Sequence, residues 1–138
     1  MTGEFAIAVH ALVFLNHKQA LVSSEILADN VCTNPARIRK IMSKLKKAGL
    51  VTTKEGLEGG YLFQLDASSV TLNKISEAVE ADFVSSSWKS GSQDKECMIS
   101  SGMAGVMDGI YGELDKLCKN HLEKITIADI DQILFKDK

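Results

Sequence analysis

Between Thr33 and Gly49 the chain reads TNPARIRKIMSKLKKAG, and no other stretch constrains the fold as tightly. Thr33 or Asn34 can cap a helix whose first position is Pro35, because the missing N–H and fixed φ of proline suit a first turn. Gly49 closes the helix just past its C-cap, where the backbone turns left-handed. Ile38, Ile41, Leu45 and Ala48 follow at spacings of three, four and three, which places them on one helical face. Arg37, Lys40, Ser43, Lys44 and Lys47 fall on the opposite side. The expected helix therefore has a core face and a cationic face.

The positive charge is local. From Ala36 to Lys54 there are seven basic residues and no acidic one. Residues 1–60 carry a net +3 and residues 61–138 a net −5, so the overall −2 says little about partners. An acidic remainder is compatible with nucleic-acid binding when one face is positive. A chain of 138 residues, 45% hydrophobic and 25% charged, is expected to fold as one domain or a domain with an appendage. The opening MTGEFAIAVHALVFL has no basic leader region and no small-residue cleavage site. Glu4 and His10 interrupt it, and it is too short for a bilayer, so a cytoplasmic protein without membrane contact is expected. Three irregularly spaced cysteines do not make a disulfide framework.

Helical spacing of Phe5, Ala8, Val9, Leu12, Val13 and Leu15 predicts a first helix over about residues 3–16, broken at NHKQ. SSEILADNV predicts a short second helix capped by Ser23 or Ser24, and the Thr33–Gly49 stretch is the third. LVTTKE and YLFQLD then read as short strands joined by a glycine-rich turn. Three helices and a two-stranded ribbon outline a winged helix, mainly α with a small β-wing. Leu72, Ile75, Ala78 and Val79 return to helical spacing, and residues 83–96 form a Ser-rich loop. A long helix is expected from Cys97 to His121, with apolar Ile99, Met103, Val106, Met107, Ile110, Leu114 and Leu117 and four glycines that permit close approach of another helix. Thr126 and Asp129 open a short last helix.

Several of these motifs occur together in one known family. FAIAVHALVFL, SSEILAD, TNPARIRKIMSKLKKAGLV, the GGY of the ribbon, VTLNKISEAVE and ITIADI, in that order, resemble the Rrf2 family of bacterial winged-helix transcription regulators. The resemblance implies a winged helix-turn-helix over residues 1–82, the loop at 83–96, and a dimerisation helix with a short helix packing back over 97–138. It implies a homodimer on a double-stranded DNA operator, the second and third helices forming the helix-turn-helix. Thr33, Asn34 and Arg37 would meet bases, Lys40 and Lys44 would be better placed for phosphates, and Ser43 would share the DNA-facing side. Lys54, Gly59, Gly60 and Tyr61 would form a wing against the DNA backbone, although Glu58 stands where a cation would help. Without the family, the same lysines read as a solvated face and the glycines as a plain hairpin.

Cluster-binding members of the family use three closely spaced cysteines near the start of the long helix. Here Cys97 is alone, with Met103 and Asp108 downstream, so no iron–sulfur cluster, no metal and no other cofactor is expected. Cys32 lies near the start of the third helix beside Arg37, and Cys97 near the start of the long helix after Lys95, positions that favour a thiolate. Free cysteines are often buried as small hydrophobes, and Cys32 in particular reads as one as readily as a reactive thiol. Given a dimer, Cys32 and the partner subunit's Cys97 are candidates for an oxidant-formed disulfide that resets the recognition helices. The expected function is an oxidant-sensing repressor. The alternatives are the same regulator controlled by a small metabolite or protein partner, and a thiol oxidoreductase. The last lacks a Cys-x-x-Cys pair, and no catalytic constellation marks an enzyme. Cys118 reads as a packed thiol, and Trp88 as a residue that docks on a core or a partner or lines a small pocket.

Overall fold

The computed structural model describes residues 3–136. Helix α1 (Glu4–Lys18) runs through most of the expected break and stops where Gln19 turns left-handed at φ 50°. The Gln19 side-chain amide donates to the Asn16 carbonyl at 2.7 Å, so the end is closed locally, two residues later than the pattern of apolar residues suggested. In α2 (Ser24–Val31) the Ser23 hydroxyl accepts from the Ile26 N–H at 3.2 Å. In α3 (Pro35–Lys47) the Asn34 side chain accepts from the Arg37 N–H at 2.8 Å. At its far end Gly49 N–H bonds to the Lys46 carbonyl and Leu50 N–H to the Leu45 carbonyl, both at 2.9 Å, the paired bonds of a Schellman motif.

Ile38, Ile41 and Leu45 are fully buried as expected, but the fourth core position of α3 is Met42 and not Ala48. Met42 lies four residues after Ile38 and three before Leu45, within the inward stripe, whereas Ala48 is the exposed C-cap. With Leu12, Leu15, Leu27, Phe63, Ile75 and Ile127, these residues make one core under α1, α2, α3, α4 and α6.

Strands β1 (Thr52–Lys54) and β2 (Gly60–Leu62) pair antiparallel, with Thr53 opposite Tyr61. They are shorter than the apolar pattern suggested because Leu50, Val51 and Phe63 leave the ribbon and enter the core. Tyr61 also exchanges two backbone hydrogen bonds with Val22, at 3.0 and 2.8 Å, which ties the α1–α2 connection to the wing. Gly59 and Gly60 sit against the chain's own backbone: a Cβ would meet the Lys54 carbonyl oxygen at 2.1 Å and the Val22 carbonyl oxygen at 2.5 Å.

A 3-10 turn (Ala67–Ser69) leads to α4 (Leu72–Ala78), capped by Thr71. Residues 83–96 carry no helix or strand. Helix α5 (Met98–Leu122) is about 37 Å long at 1.5 Å per residue. The chain then returns to the core. Thr126 and Asp129 form the capping box of α6 (Ile127–Phe135), and Ile127 is fully buried. Among the described residues no helix is long and apolar enough to cross a membrane.

Helix α5 is the exception to this packing, because Asp115 is its one buried residue. The Asp115 carboxylate accepts from the N–H groups of Phe83 at 2.7 Å and Val84 at 3.0 Å, and pairs with Lys119 at 2.9 Å. Burial alone would raise its pKa, but Lys119 and the two N–H groups outweigh burial and hold it below the usual carboxylate range. A lowered carboxylate pKa means that its stabilisation is complete at neutral pH and is lost as pH falls from about 4 through the folded-state value. Urea unfolding from pH 7 to pH 2.5 should show this loss in the wild type, and Asp115→Asn should be less stable at pH 7 with a flatter acid limb. An unchanged pH profile in Asp115→Asn would remove this carboxylate as the anchor of the loop.

Candidate nucleic-acid interface

The outward side of α3 is built by elimination: once Ile38, Ile41, Met42 and Leu45 are buried, the remaining positions face solvent. Arg37, Arg39, Lys40, Ser43, Lys46 and Lys47 are exposed, and no acidic residue stands in the helix. Two flanks of this surface differ. Arg39, Ser43 and Lys46, at i, i+4 and i+7, turn towards the wing. On the other flank the Lys44 ammonium bonds to the Glu4 carboxylate at 3.3 Å, half-buried against α1. The Arg37 guanidinium lies against Gly3. Lys40 and Lys47 fall between the flanks by helical spacing, pointing away from the core.

A cleft of about 490 Å3 runs between α3, the start of α2 and the wing. It brings together Ser43, Lys54, Gly59, Gly60 and Tyr61, all expected from sequence, with Ser23, Ser24, Arg39 and Lys46, which were not. The missed residues were legible as a spacing: 39, 43 and 46 share one helical side. Arg39 donates to the Ser24 hydroxyl at 3.4 Å, joining the two helices across the cleft. The positive end of α2 opens on the same space. Tyr61 keeps its phenolic proton: burial raises its pKa, Arg39 opposes the shift and Glu25 adds to it.

Several of the expected residues also have structural duties. Asn34 spends its side-chain oxygen on the α3 cap, and the Thr33 N–H bonds to the Ala28 carbonyl at 3.0 Å. Lys44 is committed to Glu4. The glycines of the wing serve the chain's own close contacts at Lys54 and Val22. The wing tip is acidic, with Glu55 and Glu58 beside a fully exposed Leu57.

Cys32 and Cys97 are exposed and Cys118 is half-buried. Cys32 is the C-cap of α2, left-handed at φ 66°, and its thiol donates to the Asp29 carbonyl at 3.7 Å. It therefore sits at a carbonyl end, not in the N–H groups of α3 as its place ahead of Pro35 suggested. Cys97 is the N-cap of α5. Its sulfur makes no cap hydrogen bond, yet the N–H groups of Ser100 and Ile99 favour the thiolate and lower its pKa. Trp88 is exposed and, with Met103, Met107 and Tyr111, borders a cavity of about 270 Å3 beside the Lys89–Asp108 ion pair.

A helix-turn-helix with a basic second helix and a β-wing defines a winged-helix DNA reader. The chain belongs to the Rrf2 family, whose model, described as an iron-dependent transcriptional regulator, matches residues 1–132. It is 27% identical over 135 residues to YwnA of Bacillus subtilis, described as an HTH-type transcriptional regulator, covering 98% of this chain and 99% of that one. A crystal structure of a transcriptional regulator from Lactobacillus plantarum superposes with a TM-score of 0.85 at 25% identity, over 97% of this chain and 91% of that one. CymR of Bacillus subtilis, titled the global cysteine regulator, shares the fold with a TM-score of 0.69 at 17% identity, over 96% of each chain. The chain is thus an Rrf2-type transcriptional regulator with a winged-helix fold.

The iron in the family's description was tested against the donors present. A thiolate-held cluster takes most of its ligands from cysteine. Cys97 begins α5, Cys118 lies about six turns along the same helix, and Cys32 ends α2. Among the described residues no three His, Cys, Asp or Glu side chains gather as a metal site. The donors of one chain do not fit such a cluster. The N–H groups of Ser100 and Ile99 at the start of α5 hold the Cys97 pKa below its ordinary value. Alkylation of Cys97 by iodoacetamide, followed by peptide mapping across pH, should show a midpoint below the value of about 8.5 for a free cysteine. A midpoint at or above that value would remove the influence of the Ser100 and Ile99 N–H groups.

Proposed function

We propose that the chain is a homodimeric repressor that reads a double-stranded DNA operator through α3 and the wing. The observation that carries this is the shared cleft, in which Arg39, Ser43 and Lys46 of α3 face Lys54 and Tyr61 of the wing. Arg37, Arg39 and Ser43 take the base edges, while Lys40 and Lys47, opposite the buried stripe, take phosphates. Lys44 contributes less, because Glu4 already holds it.

The dimer reading rests on α5. Ile99, Val106, Ile110, Leu114 and Leu117 are between 43% and 70% exposed and share one side of a long helix. An apolar stripe of this length is a surface for another protein. A Cβ at Gly102, Gly105, Gly109 or Gly112 would meet nothing within 4 Å in this chain, so the helix backbone there is open to another molecule. A second copy of α5 is the partner that this surface suits.

The proposed signal is thiol oxidation without a cluster. Peroxide takes two electrons and two protons from the Cys32 thiol and the partner subunit's Cys97, forming a disulfide and water. The lowered pKa of Cys97 makes it the nucleophile, and the place of Cys32 between α2 and α3 would carry the strain into the reading head. Non-reducing electrophoresis after peroxide should show a covalent dimer that is lost in Cys97→Ser and in Cys32→Ser. Retention of the band in either variant would exclude this pair. A second reading keeps the DNA binding and replaces the thiol with a small effector. The mainly apolar groove between α1 and α6, lined by Phe5, Val9, Phe14 and Ile130, is the observation that favours it.

Operator binding should weaken steeply with salt, through release of counterions from the DNA. Lys40→Ala should reduce the log–log salt slope by about one, and Lys44→Ala by less. Arg39→Ala should lower discrimination against mutated operators by about 1–3 kcal/mol per contacted base pair. Gel-shift titrations across salt and operator variants measure all three. An unchanged slope for Lys40→Ala together with unchanged discrimination for Arg39→Ala would mean that α3 is not the reading helix.

A further inference from the structure

Two residues at the start of α2 bear on Arg39. The Ser24 hydroxyl accepts from Arg39 Nη1 at 3.4 Å and donates to Glu25 Oε2 at 3.3 Å. A hydroxyl has one proton and two lone pairs. With the proton given to the carboxylate, the lone pairs are left for the guanidinium, and the two bonds strengthen one another. The helix does not need Ser24 for its cap, because Ser23 accepts from the Ile26 N–H. The Ser24 hydroxyl thus serves the side chains on either side of it, and not the fold of α2.

Arg39 is held differently from Lys44 on the other flank of α3. Lys44 is closed on Glu4 by a direct ion pair at 3.3 Å. Among the described residues Arg39 forms no ion pair, and Ser24 stands between it and the Glu25 carboxylate. Ser24, Glu25 and Arg39 line the same cleft as Tyr61 of the wing. There the guanidinium has one N–H engaged by a neutral hydroxyl, and the rest of its planar fork is open. A carboxylate close by repels a phosphate, but not the uncharged edge of a base. An open fork in such surroundings suits bidentate donation to O6 and N7 of a guanine.

We infer that Ser24, held in turn by Glu25, is a positioning residue that aims Arg39 at a guanine of the operator. The inference rests on α3 being the reading helix, as proposed above. Without the hydroxyl, the long arginine side chain is free to swing to phosphates, which carry no sequence information. Without the carboxylate, the hydroxyl loses its orientation and phosphates lose their deterrent. Specificity at one base pair therefore depends on two residues of α2 that do not themselves touch it.

The test uses the full chain and operator duplexes selected by the wild type from a randomised library, each base pair then varied singly. Gel-shift titrations give the discrimination at every position and the log–log salt slope. Arg39→Ala should lose discrimination at a G·C pair. Ser24→Ala should lower discrimination at that same pair by about two- to tenfold, the worth of one hydrogen bond, with salt slope and Tm unchanged. Ser24→Thr, which keeps the hydroxyl, should restore it. In the Arg39→Ala background, Ser24→Ala should have no further effect. Glu25→Gln should bind non-operator DNA more tightly than the wild type does. Wild-type discrimination in Ser24→Ala overturns the proposal. So does a loss that is uniform across base pairs or persists in the Arg39→Ala background, since Ser24 would then touch the DNA itself. Wild-type affinity of Glu25→Gln for non-operator DNA overturns the part given to the carboxylate. Failure of the DNA reading is distinct, because discrimination would then be intact in Arg39→Ala as well.

Discussion

Ile38, Ile41, Met42 and Leu45 hold α3 against the core, and this contact decides what the helix can show to a ligand. Each large side chain fully buried contributes roughly 1.5–3 kcal/mol, so the four together far exceed any single surface charge pair. With that stripe fixed, every remaining position of the helix is turned outward, and six of its thirteen residues are Arg or Lys. The repulsion among those cations is tolerated because burial, the Asn34 cap and the Gly49 turn specify the helix independently of them. A surface that would be unfavourable alone is thus presented by a support that does not depend on it.

Helix α5 is organised on the opposite principle. Its own chain buries only Asp115, and the tie it makes is polar: two loop N–H groups and the Lys119 ammonium converge on one carboxylate. Such a tie fixes direction, and of the apolar residues of α5 only Leu122, at its far end, packs against the core. Four glycines in the helix each cost roughly 1 kcal/mol against alanine. A helix of this composition, held to its own chain mainly by polar ties, leaves its apolar side open to solvent.

Much of this architecture is legible in the sequence because it is written in local rules. The caps at Ser23, Asn34, Thr71 and Thr126, the first-turn proline and the closing glycine all act within a few residues, so spacing alone finds them. What was misread depends on contacts distant in the chain. Met42 takes the place assigned to Ala48 because the core lies on that side of α3. Lys44 bonds to Glu4, forty residues earlier in the chain, a contact that no local spacing shows. Arg39 and Lys46 enter the cleft because the wing folds over their flank. Cys32 illustrates the same limit: adjacency to Pro35 placed it near a helix start, while the backbone assigns it to the end of the preceding helix.

The bridge between Val22 and Tyr61 has a further consequence. A hairpin with three residues per strand is marginal by itself, yet this one is stitched on its outer side to the segment that begins α2. Wing and helix-turn-helix are therefore a single body, and the cleft between them has its shape before anything enters it. A reader built this way loses little conformational freedom on docking, so more of its contact energy is left to separate one sequence from another. The same stiffness means that whatever moves the α1–α2 connection moves both jaws of the cleft at once.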